Sequence, residues 1–172
     1  MDENSAIPNP NDERIKKAGL LTGSVLVCLI TGGLGSIFTK TGPGTWYAEE
    51  LIKPDLTPPG FVFGIAWTIL YILMGISLYL LLIKDLKLKE VRIAVSFFLI
   101  QLALNFGWSY LFFGLESPLA GFVCIIVLWV FILLTIVSSY RVDKNASYLL
   151  VPYIIWVTFA TFLNWQIVVL NS

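Results

Sequence analysis

Residues 60–83 read GFVFGIAWTILYILMGISLYLLLI, a run without a single charged side chain. At a rise of 1.5 Å per residue, an α-helix of this length crosses the ~30 Å hydrocarbon core of a bilayer. Four further uncharged runs are long enough to do the same, at about 18–38, 93–114, 118–140 and 147–170. The sequence therefore predicts an all-α membrane protein with five transmembrane helices.

The composition is that of an integral membrane protein. Hydrophobic residues make up 58% of it and charged residues only 13%, whereas charge in soluble domains is near a quarter. The formal net charge is +0, so no electrostatic attraction to nucleic acid is expected. We expect a single membrane domain over residues 18–172, with the lipid bilayer as its surroundings.

The connections between the runs predict the topology. Three of them are short, at 84–92, 115–117 and 141–146, which favours an up-down bundle of antiparallel neighbours. The first, at 39–59, is long and rich in Trp, Tyr and Pro, which is typical of a structured binding loop or lid. Thr45 is predicted to cap a short helix over 46–52. Residues 1–17 are polar and rich in Pro and Asn, and predict a disordered N-terminal extension.

The basic residues predict the orientation. Nine of the 11 Lys and Arg residues fall on the side of the N-terminus, and such residues concentrate in the cytoplasm. The N-terminus is therefore expected in the cytoplasm of a plasma (inner) membrane. The other two, Lys40 and Lys53, belong to the long first loop.

Several kinds of chemistry lack their usual residues. The chain has no His, and none of the five runs contains Asp, Glu, Lys or Arg, which argues against ion-coupled transport and acid/base catalysis. Cys28 and Cys124 lie inside apolar runs and are predicted to be buried, unpaired residues. No metal site and no obligatory cofactor are expected.

Aromatic and amide side chains recur at helical spacing in the runs 60–83, 93–114 and 147–170, and form a stripe along one face of each predicted helix. Amide side chains turn toward protein in a membrane, because lipid offers them no hydrogen-bond partner. The alternative is that these residues only pack the core or form interhelical hydrogen bonds. Together with the aromatic start of the first loop, the stripes indicate a pocket with the candidate ligand-binding residues Trp46, Phe63, Trp67, Tyr71, Asn105, Trp108, Tyr153, Trp156 and Ala160.

Three ordered motifs resemble those of a known family. The first runs Trp46-Tyr47, Leu51, Lys53-Pro54, Pro58-Pro59 and Trp67, Leu70, Tyr71; the second is 101–108 with 112–114, and the third is 150–156 with 159–160 and 163–164. Over residues 18–171 the chain is similar to the tryptophan-rich sensory protein and translocator protein family, also called peripheral-type benzodiazepine receptors.

The resemblance implies a five-helix bundle, usually a homodimer, with a pocket under the first loop for porphyrins, haem and benzodiazepine- or isoquinoline-type ligands. The family's roles include tetrapyrrole handling and stress responses. Its pocket tryptophans correspond to Trp67, Trp108 and Trp156. The pair linked to light-dependent porphyrin breakdown in bacterial members corresponds to Trp67 and Trp156, which would then be catalytic.

Three positions depart from the family pattern. Ser109-Tyr110 replaces a frequent Pro-Pro, so the third transmembrane helix is expected to be straighter there. Cys124 replaces a common Asp, and the C-terminus lacks the Tyr and the following Lys or Arg of the cholesterol motif.

Three functions are compatible with these residues. The leading hypothesis is a membrane receptor or sensor that binds porphyrin or haem. The alternatives are a light- or oxygen-dependent porphyrin-degrading enzyme and a transporter of tetrapyrroles or lipids.

Overall fold

The computed structural model describes residues 10–172, and five of its helical segments are long and apolar enough to cross a membrane. No strand occurs among these residues, so the predicted all-α, five-helix membrane bundle is confirmed. The elements are α1 (Pro10–Ser36), α2 (Trp46–Glu49), α3 (Gly60–Leu82), α4 (Lys89–Ser109), a π-helical turn (Tyr110–Gly114), α5 (Pro118–Val142), α6 (Lys144–Tyr148) and α7 (Val151–Leu170).

The five long helices form a closed ring. α1 packs against α3 and α4, α5 packs against α4 and α7, and α3 meets α7. The long first loop and the C-terminus lie at the same end of this ring, because Asn171 makes two hydrogen bonds to Ile52. The connections from α3 to α4 and from α5 to α6 lie at the other end, where Lys84 pairs with Asp143.

The first helix begins earlier than the apolar run. α1 starts at Pro10, so residues 10–17 are helical rather than part of a disordered extension; residues 1–9 of that extension lie outside the described residues. Proline suits the first helical turn because the N–H it lacks would have no partner there. Asp12 and Glu13 follow in the same turn, where negative charge is favourable.

The third transmembrane helix does not continue as a regular α-helix past Ser109. The backbone widens into the π-helical turn, with the N–H of Leu115 bonded to the carbonyl of Tyr110 at 2.9 Å. Without Pro-Pro the backbone of this segment keeps its hydrogen bonds, but in the turn they join residues five apart instead of four. The expected straightening of the helix stays a prediction. The turn brings Phe112 and Phe113 under the first loop.

The fifth transmembrane segment has a break near its start. α6 ends at Tyr148 and α7 begins at Val151. Pro152 explains the break, because it has no N–H to donate and its ring crowds the carbonyl four residues earlier. The hydroxyl of Ser77 donates to the carbonyl of Ala146 at 2.7 Å and thereby ties α6 to α3.

Asp143 organises the connection between α5 and α6. Its carboxylate accepts hydrogen bonds from the backbone N–H groups of Asn145 and Ala146 at 2.9 and 3.2 Å, and it pairs with Lys84 at 2.8 Å. The hydrogen bond from Lys84 and those from the backbone lower the pKa of Asp143, and partial desolvation opposes them. The charged form is thus favoured in the folded state.

α1 and α3 approach each other closely at a glycine in α3. A Cβ at Gly75 would collide with the backbone of Val25 in α1, so only a residue without a side chain permits this distance between the helices. The contact places the wall that α1 forms close to the aromatic side chains of α3.

We expect Gly75→Ala to destabilise the protein by about 1–3 kcal/mol, because the added methyl group forces the two helices apart. Thermal unfolding in detergent measures the change. Gly23→Ala in α1 is the matched control, since a Cβ at Gly23 meets nothing within 4 Å. Equal melting temperatures for the two variants would contradict the close packing.

The lowered pKa of Asp143 predicts a pH-dependent contribution to stability. Such a carboxylate stabilises the fold above its unfolded pKa of about 3.9, and this contribution is lost as pH falls through the folded value. We expect the wild type to melt at a higher temperature than Asp143→Asn at about pH 7, the difference to start shrinking as the pH falls below about 4, and the difference to be lost only below the lowered pKa of the folded state. A difference that stays constant across this range would exclude the ion pair as its cause.

Candidate functional site

A cavity of about 850 Å³ opens between the helices at the end of the bundle that carries the first loop. Its walls come from α1, α3, α4 with the π-helical turn, and α7, and its cover comes from the first loop; α5 contributes no lining residue. The aromatic lining consists of Tyr47, Phe63, Trp67, Tyr71, Trp108, Phe112 and Phe113.

Two tryptophans on different helices line this cavity. The ring of Trp67 in α3 lies 5.6 Å from that of Tyr71, and the ring of Trp108 in α4 is stacked on Phe112 at 5.4 Å. The indole N–H of Trp108 donates to Asn164 Oδ1 at 3.1 Å, which fixes the plane of the ring. The side-chain amide of Asn164 donates in turn to the carbonyl of Pro118 at 2.9 Å.

A hydrogen-bond network from three helices closes the inner end of the cavity. The hydroxyl of Tyr71 donates to Asn105 Oδ1, and Asn105 Nδ2 donates to the hydroxyl oxygen of Tyr153 at 3.0 Å. All three side chains are buried. A Cβ at Gly32 would fall on the ring of Tyr71, so this glycine lets the ring lie against the backbone of α1.

The first loop folds over the opposite end of the cavity. Trp46 packs edge-on against Phe112 at 5.9 Å and Tyr47 packs on Phe113 at 5.5 Å. Burial raises the pKa of the Tyr47 hydroxyl. Asn171 at the end of α7 accepts from the N–H of Ile52 and donates to its carbonyl, both at 2.9 Å. The loop is therefore held at its aromatic start and again at the C-terminus of the chain.

The predicted cap of the short helix in this loop is wrong. Thr45 occupies the N-cap position but makes no capping bond with its side chain. Its hydroxyl donates instead to the carbonyl of Gly42 at 2.7 Å, and Glu49 accepts from the N–H of Gly44 at 2.7 Å. α2 is also shorter than the predicted 46–52, since it ends at Glu49.

The structure brings most of the candidate ligand-binding residues into one cavity, but not all of them. The lining includes Phe63, Trp67, Tyr71, Asn105, Trp108 and Ala160.

Three candidates lie behind this lining. Tyr153 is fully buried beyond Asn105, and Trp46 lies behind Phe112. Trp156 stands edge-on to Phe63 at 5.7 Å, and its indole N–H is buried with no hydrogen-bond partner among the described residues.

Several residues that line the cavity are not aromatic and are not among the candidate ligand-binding residues. Gly60, Gly64 and Thr68 line the cavity from α3, and their four-residue spacing is that of one helix face. A Cβ at Gly64 meets nothing within 4 Å, so this face leaves room for a ligand. Lys53 also lines the cavity, and it belongs to the first of the three sequence motifs.

The cavity is poorly suited to binding a metal through the protein. No group of three or more His, Cys, Asp or Glu residues that could hold a metal ion occurs within residues 10–172. The tyrosines in the lining are Tyr47 and Tyr71, and the hydroxyl of Tyr71 is already bonded to Asn105.

Residues 24–170 match the sequence model of the TspO/MBR family. The chain belongs to the TspO/MBR family. The resemblance seen in the motifs is thereby confirmed, and the chain is an integral membrane protein of this family.

Relatives in distant organisms share most of the TspO/MBR domain. The Tryptophan-rich protein TspO of Chlorobaculum tepidum is 50% identical over 145 residues, which is 84% of this chain and 91% of that protein. The protein of the same name in Archaeoglobus fulgidus is 48% identical over 152 residues, 88% of this chain and 97% of that protein. The Translocator protein of Bos taurus is 32% identical over 146 residues, 84% and 85% of the two chains. These relatives support a role as a membrane receptor.

We expect Asn105→Ala to destabilise this TspO/MBR protein by about 1–3 kcal/mol, because it leaves the buried hydroxyls of Tyr71 and Tyr153 without their partner. Thermal unfolding of Asn105→Ala, Tyr71→Phe and the double variant forms the test. In a shared network the double variant loses less stability than the sum of the single variants. Strict additivity would show that the two side chains do not act together.

Proposed function

We propose that this protein is a membrane receptor or sensor that binds a flat, apolar ligand of the porphyrin class in the cavity under the first loop. One observation carries the proposal: a cavity of about 850 Å³ with Trp67 and Trp108 on different helices in its lining. Cavities of about 300–1,000 Å³ are typical of small-molecule sites. Indole rings bury large apolar areas and stack on other aromatic rings.

The polar groups of the cavity also favour an apolar ring. Trp108, Asn105 and Asn164 direct their hydrogen bonds to protein partners. A ligand that needed many hydrogen bonds would have to break these, whereas a macrocycle that stacks would leave them intact. The binding energy is then expected to come from ring contact and buried area.

Haem would bind in the same cavity through the same ring contacts, without a bond from a protein side chain to its iron. The lining contains no Cys or Met, the chain has no His, and the hydroxyl of Tyr71 is engaged with Asn105. Burial raises the pKa of the other lining tyrosine, Tyr47, which disfavours the tyrosinate that would bind iron. Iron-free porphyrin and haem would thus be bound through their ring faces. Ligands of benzodiazepine or isoquinoline type carry similar flat rings and would use the same walls.

A light- or oxygen-dependent porphyrin-degrading enzyme is the second candidate, and Trp67 favours it because this oxidisable ring lines the cavity. Trp156 lies behind Phe63, so a direct role of Trp156 would need movement of the Phe63 ring. Illumination of the porphyrin complex separates the two functions. An enzyme bleaches porphyrin faster than free porphyrin bleaches in empty micelles, and a receptor does not.

The proposal also covers the oligomeric state of the protein and its orientation in the membrane. We infer that the protein is a homodimer and that its N-terminus lies in the cytoplasm of a plasma (inner) membrane. The basic residues support this orientation, because Lys84 and Lys144 lie at the end of the bundle opposite the first loop. The cavity mouth would then open on the outer side.

Titration of protoporphyrin against purified protein, followed by the shift of its main absorbance band, tests the receptor. We expect saturable binding to the wild type and binding about tenfold weaker to Trp67→Leu, equivalent to about 1.4 kcal/mol, which is within the range for an aromatic contact. Trp165→Leu is the control, because Trp165 is 49% exposed on α7 and does not line the cavity.

Empty detergent micelles give the baseline for this titration, because porphyrins also partition into detergent. Absorbance changes that do not saturate above this baseline would contradict the receptor. Equal loss of affinity in the Trp67 and Trp165 variants would place the ligand elsewhere.

A further inference from the structure

One positive charge lines the cavity. Among the lining residues within 10–172, Lys53 is the one charged side chain. It belongs to the first loop and follows α2, so it lies at the covered mouth rather than at the closed end near Asn105. The remainder of the lining is aromatic, aliphatic or neutral polar.

The ammonium group of Lys53 is held by backbone carbonyls and an aromatic ring. Nζ donates to the carbonyls of Tyr47 at 2.6 Å, Leu51 at 3.2 Å and Ala48 at 3.5 Å. It also lies 4.8 Å from the centre of the Tyr47 ring. These contacts fix the position of the charge, but none of the partners carries a negative charge that would neutralise it.

The acidic residues of the loop do not neutralise it either. No Asp or Glu oxygen lies within 4.0 Å of Lys53 Nζ in the described part of the chain, where the ion pairs are Lys17 with Glu13 and Lys84 with Asp143. Glu49 accepts from the N–H of Gly44 instead. None of the loop acids Glu49, Glu50 and Asp55 lines the cavity.

Three of the hydroxyl groups that line the cavity are poor alternatives for binding an anion. Ser36, Thr39 and Thr57 line the cavity, but their hydroxyls donate to the backbone carbonyls of Gly33, Gly35 and Pro54. A carboxylate only accepts hydrogen bonds. Lys53 is the one positively charged side chain in the described lining, so it attracts a negative charge at the mouth more strongly than a neutral hydroxyl does.

We propose that Lys53 is a specificity-determining residue that selects ligands with a carboxylate at one edge of an apolar ring system. The inference rests on the proposed function and adds an orientation to it. The ring lies between the walls that carry Trp67 and Trp108, and the carboxylate edge points toward the loop. A carboxylate at Lys53 would gain a charge-assisted hydrogen bond as one of the longer carbonyl contacts is released.

The purely structural alternative is that Lys53 only holds the carbonyls at the end of α2. The two roles differ in their dependence on charge. Glutamine at this position can still donate hydrogen bonds to carbonyls but carries no charge, and arginine keeps the charge with a different shape. A ligand series that differs only in charge therefore separates them.

Protoporphyrin, which has two carboxylates, and its neutral dimethyl ester are titrated against the full chain and its variants in the same detergent. The measured quantity is the ratio of the two dissociation constants, and partition into detergent affects this ratio equally for all variants. We expect Lys53→Gln to reduce the preference for the diacid about tenfold through loss of diacid affinity alone, with ester affinity unchanged. Lys53→Arg should restore most of the preference.

Lys40→Gln is the matched control, because Lys40 is an exposed lysine just after α1 that does not line the cavity. It should keep the wild-type ratio. A ratio that is the same in the wild type and Lys53→Gln overturns the proposal, as does an equal loss of affinity for both porphyrins. Both results leave the proposed function intact, whereas absence of saturable binding by either porphyrin contradicts the function itself.

Discussion

A bilayer offers no hydrogen-bond partner to a polar group, and the backbone of the bundle and the contacts around its cavity follow from this constraint. The long segments are helical because helices satisfy their own backbone. Hydroxyl groups within the helices donate hydrogen bonds to backbone carbonyls one turn earlier, as those of Ser24, Thr135 and Thr161 do. The amides of Asn105 and Asn164 bond between helices instead, and they hold α3, α4 and α7 in register around the cavity.

The same constraint explains where the irregular backbone is found. The first loop, which is non-helical outside α2, lies at the end of the bundle, where Asn171 and Lys53 supply partners for its carbonyls. The π-helical turn keeps its backbone bonded while it shifts Phe112 and Phe113 beneath this loop. The cavity thus forms beneath the first loop, and the backbone of the π-helical turn keeps its hydrogen bonds.

The five spans could be predicted from the sequence because lipid excludes charge, and uncharged runs of sufficient length are easy to recognise. The cavity residues Phe63, Trp67 and Tyr71 followed from helical spacing on one element. Trp156 shows the limit of such reasoning. Its position behind Phe63 depends on how α7 is rotated against α3, and the residue spacing within one helix does not predict that rotation. The start of α1 at Pro10 was missed because a polar helix beyond an apolar run carries no periodic signal.

The central claim is that the cavity under the first loop accepts a flat ring ligand. A crystal structure of the protein with protoporphyrin bound tests this most directly. We expect the macrocycle to lie between the walls that carry Trp67 and Trp108, with its carboxylate edge toward Lys53. A macrocycle bound instead on the outer surface of the bundle, for example in the groove of α5 and α7 beside Trp129 and Trp165, would contradict it.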